Sequence, residues 1–374
     1  MQNRKSVILH MIETTGPGGA ETVLLNVVGW LDPMEFESIV LLTGIGWLYD
    51  SMKAAGITPL VVKSSGAFDW SFLREIMRIV RTRRVDLIHS HLPDANFYAC
   101  LAGLFTRIPV VVTFHGMVGT WSTRSPKNWL KMAVIKRQAK SVVVVSDHLK
   151  NELFQGWSFR PDQVTRIYNG IDFELLDRAT RSNALRSEFG IPLTATLVSS
   201  VGNIRKAKGY EYLLNAARIV IDIAQDTYFV IAGEGRGELL ADLLVLRASL
   251  GLQERVFFTG FRSDVSQLLK QCDIFAMSSN TEGLSIATIE AMGLGKPVVV
   301  TNSGGPAEIV EDGKTGLLIP PQSADALAQG ILRLIRDREL ASVLGAAAKF
   351  AVRDRFCIER SIRSYAELYR NCIG

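Results

Sequence analysis

A chain of 374 residues that is 48% hydrophobic is longer than one core usually needs, so two domains are expected. With 21% charged residues and no low-complexity tract, a disordered chain is excluded. The net charge of +5 is mild, and nucleic acid is not expected as a partner. Cys100, Cys272, Cys357 and Cys372 form no Cys-x-x-Cys and read as thiols of a reducing compartment. The apolar run at 7–12 is short, holds His10 and precedes a glycine turn, so it reads as a strand and not as a secretory signal. No apolar run approaches the roughly 20 residues of a membrane span. A cytoplasmic protein is expected.

In chain order, the first half alternates strand-like and helix-like stretches. Runs rich in Val, Ile and Leu at 7–12, 38–42, 59–62, 86–89, 110–114, 142–145 and 165–168 predict strands. Helix-period stretches lie at 21–31, 70–82, 95–105 and 147–154. Nearly continuous apolar strands separated by helices predict a parallel sheet covered on both faces. Two basic runs interrupt the pattern. Arg74, Arg78, Arg81, Arg83 and Arg84 end one helix. Between Trp121 and Lys140 stand Arg124, Lys127, Lys131, Lys136, Arg137 and Lys140 with Trp129 and no acidic residue. A basic helix with interfacial tryptophans suits an anionic membrane surface. A solvated face, or one that meets an acidic acceptor, fits the same residues.

The stretch 172–192 is polar, rich in Arg and Ser, and ends in Gly190-Ile191-Pro192, which reads as an interdomain connection. The alternation then restarts. Strands are expected at 196–201, 228–232, 256–259, 274–277, 298–301 and 316–319. Helices are expected at 210–223, 238–250, 265–271, 286–292 and 324–336, with helix throughout 339–371. Two doubly wound α/β halves follow, with boundaries at 1–175 and 176–356 and a closing helix at 357–374. In such sheets ligands bind beyond the carboxyl ends of the strands, and an interdomain cleft is a common site.

Two loops carry the chemistry. The first runs from Gly202 to Gly209, after a strand and before a helix. Gly202 allows close backbone approach, and Arg205 and Lys208 place cations where a helix start already favours an anion such as a diphosphate. An exposed basic loop is the plainer alternative. In the second, Glu282 precedes a helix and Glu290 lies eight residues on, just over two turns. One carboxylate suits vicinal sugar hydroxyls and the other a ribose diol. The N–H groups of Gly283, Leu284 and Ser285 suit a phosphate.

With these loops the chain resembles the retaining glycosyltransferases of family 4, which have a GT-B fold. The resemblance covers almost the whole chain and is strongest from Gly202 to Pro320. Glu282 and Glu290 match the family's Glu-x7-Glu signature, which implies that Glu282 bonds the donor sugar and Glu290 the nucleotide ribose. Arg205 and Lys208 match the pair that holds the donor diphosphate. Many members carry Arg where this chain has Asn203, and Pro where it has Ser285, a change that bears on donor choice. Gly233-Glu234-Gly235 matches the nucleotide pocket, and Thr259-Gly260-Phe261-Arg262 the loop against which the base packs. Gly18-Gly19-Ala20-Glu21 matches the family's loop after the first strand. His115 matches a histidine beside the donor sugar and ranks above His89 and His91, which flank an earlier strand end. The resemblance assigns acceptor binding to the first domain and donor binding to the second.

No Asp-x-Asp and no cluster of His or carboxylates shows metal spacing, so no metal and no cofactor is expected, the nucleotide-sugar being a substrate. Arg205, Lys208 and the helix start at Gly283 would then neutralise the leaving diphosphate. The resemblance implies same-face attack by an acceptor hydroxyl of a glycan or lipid-linked acceptor, with the leaving phosphate taking its proton. Family frequency points to uridine, with guanosine and adenosine as alternatives. Hinges are expected near 172–192 and 354–356. Two rivals stand beside this reading: a nucleotide-sugar epimerase of the same fold, and a catalytically silent GT-B subunit that binds a partner.

Overall fold

The computed structural model describes residues 4–64, 68–116, 125–180 and 182–374. The chain divides into two compact units, 1–170 with 358–374, and 171–357.

The first unit holds β1 (Ser6–Ile12), α1 (Gly19–Trp30), β2 (Phe36–Leu42), α2 (Trp47–Ala54), β3 (Leu60–Val61), α3 (Trp70–Thr82), β4 (Leu87–His91), α4 (Pro93–Thr106), β5 (Val110–Phe114), α5 (Pro126–Gln138), β6 (Ser141–Val144), α6 (Asp147–Trp157) and β7 (Val164–Arg166). Its seven strands run in the order β3-β2-β1-β4-β5-β6-β7, and all pairs are parallel. Local rules explain the helices. Asp69 caps α3 by accepting from Ser71 N at 2.9 Å and Phe72 N at 3.0 Å. Phe72, Leu73, Ile76, Ile79 and Val80 then bury one face of it. The short α2, absent from the sequence expectation, buries only Leu48 and Met52, one turn apart, against Leu24, Val28 and Val40.

The second unit holds α7 (Phe173–Arg178), α8 (Ala184–Glu188), β8 (Thr196–Val201), α9 (Tyr210–Ile223), β9 (Thr227–Ala232), α10 (Gly237–Ser249), β10 (Val256–Gly260), α11 (Val265–Gln271), β11 (Ile274–Met277), α12 (Ile286–Gly293), β12 (Val298–Thr301), α13 (Pro306–Ile309), β13 (Leu317–Ile319), α14 (Ala324–Arg336) and α15 (Arg338–Arg355). Its six parallel strands run β10-β9-β8-β11-β12-β13. Leu213, Leu214 and Val220 of α9 and Ile331 and Leu334 of α14 share one buried cluster with Val198, Ile231 and Val299 of the sheet. Each such side chain, fully buried, stabilises the fold by about 1.5–3 kcal/mol.

One expectation about a connection needs correction. The stretch 172–192 is not a linker: it forms α7 and α8, both docked on the second unit. Asp177 pairs with Arg353 at 2.7 Å, and Lys270 Nζ donates to the carbonyls of Asp177, at 2.6 Å, and Ala179. Buried Arg186 donates to the carbonyls of Pro192 and Ala195 and pairs with Asp273 at 3.0 Å. Arg186, one of the arginines that made the stretch resemble a linker, is part of the anchoring. The units therefore divide after Gly170 instead of after residue 175. The stretch 339–371 is helical apart from one break, close to the expected start of the closing helix. It breaks at Phe356 and Cys357, where Cys357 bridges Ile171 and the Phe356 carbonyl accepts from Ile171 N at 2.8 Å. The last helix, α16 (Ile358–Ile373), belongs to the first unit.

Candidate functional site

In the second unit the strand order reverses between β8 and β11, which pair directly. Ligands of doubly wound sheets bind at the carboxyl ends of such a pair. Both chemistry-bearing loops leave from there, the first from β8 and the second from β11.

Glycines bring the strand ends together. Gly233, after β9, lies against the Gly202 carbonyl so closely that a Cβ would overlap it. Gly202 N donates to the Ala232 carbonyl at 2.8 Å and Gly233 N to the Gly260 carbonyl at 2.9 Å. The Asn203 side chain accepts from Glu234 N at 3.0 Å, and Ile204 N donates to the Glu234 carbonyl at 2.7 Å. Asn203, where many family members carry Arg, thus stitches the β8 loop to the β9 loop.

Beyond it, residues 206–208 form a 3₁₀ turn. Gly209 sits at φ +58°, the left-handed region, with the Ser278 carbonyl against its α-carbon. The Ser278 hydroxyl donates to the Lys208 carbonyl at 2.9 Å, and Asn280 N to the Ala207 carbonyl at 2.7 Å. The β8 and β11 loops are therefore one rigid piece. On it, Lys208 Nζ lies 2.6 Å from the Glu282 carboxylate, which also accepts from the Ser279 hydroxyl at 3.2 Å. Arg205 is exposed at the start of the turn, with no partner among the described residues.

Glu282 is clamped from β12 as well. Its N–H donates to the Ser303 carbonyl at 2.8 Å, and its carbonyl accepts from Gly305 N at 2.9 Å. A Cβ on Gly305 would overlap the Gly283 carbonyl. Sequence reasoning passed over this Ser303–Gly305 clamp, although Gly304-Gly305-Pro306 directly after a strand was a visible signal. Helix α12 opens at Ile286, so Gly283, Leu284 and Ser285 precede it. The Ser285 hydroxyl caps the helix, accepting from Thr288 N at 3.3 Å and from the Thr288 hydroxyl at 2.8 Å. Glu290 is half-buried on α12, and its carboxyl has no partner among the described residues. Burial of that carboxyl pushes it up to about 7.

Phe261 and Arg262 follow β10. Phe261 is exposed just after β10. Arg262 is committed to Glu188 at 2.9 Å and Asp264 at 2.7 Å, and these bonds raise its guanidinium further while holding Asp264 down. The Arg262 side chain is thus held within the protein.

In the first unit, Gly18 and Gly19 open α1, and Glu21 accepts from the Thr14 hydroxyl at 2.5 Å. His91 ends β4 and His115 follows β5. His91 Nδ1 and His115 Nε2 are 2.8 Å apart, and the rings stack. His89 bonds Tyr369 of α16 at 2.6 Å through Nδ1 and Thr113 at 2.8 Å through Nε2. His10 Nε2 lies 3.3 Å from the Ser38 hydroxyl. Burial holds His10 and His115 down at about 3 and His89 and His91 well below the usual range, so all four are neutral. His10, His89 and His91 bring ring nitrogens within 4.8 Å of one another. This corrects the expectation that no histidine cluster has metal spacing. Residues far apart in the chain meet because β1 and β4 pair with His10 opposite His89. Both His89 nitrogens are already engaged, so the group lacks three free lone pairs for a cation. Close by, Glu13 accepts from Ala95 N at 2.7 Å, and burial pushes its carboxyl up to about 7.

Of the basic stretch, Trp121 and Arg124 lie outside the described residues. On α5, Lys127, Trp129, Lys136 and Arg137 are exposed, and Lys140 is exposed just beyond it. Lys131 is not on that face: it is buried and paired with Asp94. Among the described residues no helix is long and apolar enough to cross a membrane.

Comparisons with known proteins agree with this geometry. The family model Glycosyltransferase Family 4 matches residues 17–175, and Glycosyl transferases group 1 matches residues 181–350. The chain is 26% identical to the N-acetyl-alpha-D-glucosaminyl L-malate synthase of Bacillus anthracis, over 81% of this chain and 79% of that one. It is 24% identical to the UDP-Gal:alpha-D-GlcNAc-diphosphoundecaprenol alpha-1,3-galactosyltransferase of Escherichia coli, over 86% of this chain and 85% of that one. Among solved structures it resembles Anabaena HepE in complex with UDP and glucose, with a TM-score of 0.89 and 25% identity over 98% of this chain and 100% of that one. Two doubly wound units, a cation–carboxylate site at the second switch point and matches along both halves carry one conclusion: the chain belongs to the family 4 glycosyltransferases and has their GT-B fold.

Proposed function

We propose that this glycosyltransferase moves a sugar from a nucleotide-diphosphate sugar, UDP-linked, to a hydroxyl of a glycan or lipid-linked acceptor, with retention at the anomeric carbon and without a metal. The observation that carries the reading is the meeting of Lys208 and Glu282 on one rigid double loop, with Glu290 unpartnered on the helix that follows. Lys208 and Arg205 take the diphosphate as charge-assisted donors. Glu282 accepts from sugar hydroxyls and Glu290 from the ribose diol. The turn at Gly202 and Gly233 and the segment Gly283, Leu284 and Ser285 receive the ligand backbone-first, and Phe261 packs against the base. His115 bonds the donor sugar, and Gly18 and Gly19 shape the loop after β1. Uridine is favoured because the E. coli relative is named for UDP-Gal and HepE is in complex with UDP and glucose.

In the chemical step the acceptor oxygen bonds to the anomeric carbon as the bond from that carbon to the phosphate oxygen breaks. The departing phosphate takes the acceptor proton. Cations and oriented N–H groups stabilise the charge that develops on it. The first unit takes the acceptor, and its exposed Lys127, Trp129, Lys136, Arg137 and Lys140 serve an anionic lipid surface on the cytoplasmic side. Failure of vesicles carrying anionic lipid to sediment the protein removes that last element.

The deciding experiment is calorimetric titration with UDP, GDP and ADP, each with and without EDTA. Saturable UDP binding that ignores EDTA and is lost in Lys208→Ala supports the reading. Turnover in the same variant should fall by about 10²–10³, the usual cost of removing one such group. Binding of no nucleotide by folded protein favours a silent subunit, and free sugar products formed without an acceptor favour an epimerase.

A further inference from the structure

The amino edge of the first sheet lies opposite the edge at which ligands of such sheets bind, and it carries cations that the proposed chemistry does not use. A helix between two parallel strands returns the chain to the amino edge, so α3, α4 and α5 all end there. Helix α4 packs between the other two. The three helices lead into β4, β5 and β6, which are neighbours in the sheet. Their joins are therefore close: Ile88 N donates to the Pro109 carbonyl at 3.0 Å, and Lys140 N to the Val110 carbonyl at 2.8 Å.

Arg83 and Arg84 come from the first join, Arg107 from the second and Lys140 from the third. All are exposed, with no carboxylate partner among the described residues. Asp86, the acidic residue of these joins, is already paired with Arg4 at 2.5 Å. In their midst the last turn of α4 exposes Leu104 and Phe105, at 49% and 52%. The helix dipole accounts for cations in a last turn, here Arg81, Lys136 and Arg137. It does not explain the backbone of Arg84 and Arg107, at φ +52° and +63°. That left-handed region suits glycine and strains arginine. Two helix ends thus keep a cation where glycine would be unstrained.

We infer that this amino edge is the surface by which the first unit docks on an anionic bilayer, with Leu104 and Phe105 entering the headgroup region between the cations. Long cationic side chains spread over three joins and centred on an apolar pair need no shaped partner, only a continuous negative surface. The inference rests on the lipid contact proposed above and moves its centre. Lys136, Arg137 and Lys140 belong to this edge, whereas Lys127 and Trp129 start α5 at its other end, roughly 12–15 Å along the helix. The carboxyl edge is then held about one strand length, roughly 17 Å, off the lipid. A lipid-linked acceptor has to carry its reacting hydroxyl that far from its anchor.

The test is sedimentation with vesicles of phosphatidylcholine alone and of phosphatidylcholine mixed with phosphatidylglycerol. The protein should bind only the mixed vesicles, and less as salt rises. One cation near the surface changes partitioning about fivefold, so Arg83→Gln, Arg84→Gly and Arg107→Gly together should lower it about a hundredfold. Stability to urea should be kept or raised by the two glycines. Phe105→Ser should weaken binding at unchanged charge. Arg333→Gln, Arg336→Gln and Lys349→Gln, which remove as much charge from exposed positions of the second unit, should leave it unchanged. Equal loss in the two triple variants would reduce the effect to net charge and overturn the inference. If binding survives in the edge variant and is lost in Lys127→Gln with Trp129→Ser, the inference falls and the lipid contact proposed above stands. If the unaltered protein sediments with neither vesicle, both fall.

Discussion

Acidification should weaken the first unit well before the carboxylates of an ordinary protein begin to protonate. His10, His89, His91 and His115 stay neutral in the folded chain to far below their ordinary value of 6.5. The unfolded chain takes up a proton on each as pH falls through about 6.5, while the folded chain does not, so stability is lost on acidification. Between about pH 7 and 5.5 the four together cost about 5 kcal/mol. Glu13 opposes them. Its carboxyl is raised from 4.5 to about 7, so the folded form binds the proton first and gains about 2 kcal/mol over the same window. The net loss is about 3 kcal/mol, a large share of a usual domain stability of about 5–15 kcal/mol.

A local reporter exists for this. All six tryptophans, Trp30, Trp47, Trp70, Trp121, Trp129 and Trp157, precede the division after Gly170. Tryptophan fluorescence in a urea titration therefore follows the first unit alone. The midpoint should drop steeply between about pH 7 and 5.5, and His89→Gln, if it folds, should make the drop shallower. A midpoint that is flat or rises over that range would refute the account of buried neutral histidines.

Two further outcomes concern the second unit. Glu290 is about half protonated at pH 7 because its carboxyl is raised to about 7, and in the proposed function a ribose diol donates to the ionised form. UDP affinity should therefore rise between about pH 6 and 8 with release of a proton, seen by calorimetry in buffers of different ionisation heat, and Glu290→Gln should abolish the dependence. Gly305→Ala drives a Cβ into the Gly283 carbonyl; it should cost about 1–3 kcal/mol of stability and lower turnover with little change in nucleotide affinity, as measured by urea unfolding and initial rates.

The fold was legible because both sheets are buried on both faces. Parallel strands such as Val110–Phe114 and Val298–Thr301 then read as unbroken apolar runs, and the intervening helices show their period. What was not legible depended on contacts between distant segments. Nothing within 172–192 says that Asp177 will meet Arg353 or that Arg186 will reach Asp273, so anchored helices looked like a linker. The histidine array is the same case. His-x-His in one strand is visible, but His10 joins it only through the pairing of β1 with β4, and Tyr369 only through the returning α16.

At the site itself, residue types were readable and their states were not. Spacing placed Glu282 and Glu290 on one loop and helix, yet the two carboxylates are in opposite situations. Glu282 is held by a cation and a hydroxyl, and its backbone is clamped on both sides. Glu290 has neither partner nor full solvent, and its carboxyl is raised to about 7. On the proposed function, a donor sugar arriving at Glu282 must share or displace Lys208, the cation proposed to take its diphosphate. A ribose arriving at Glu290 displaces no protein group. Ribose capture first, with the sugar settling as Lys208 turns from Glu282 to the phosphate, is the order of events that these two environments favour.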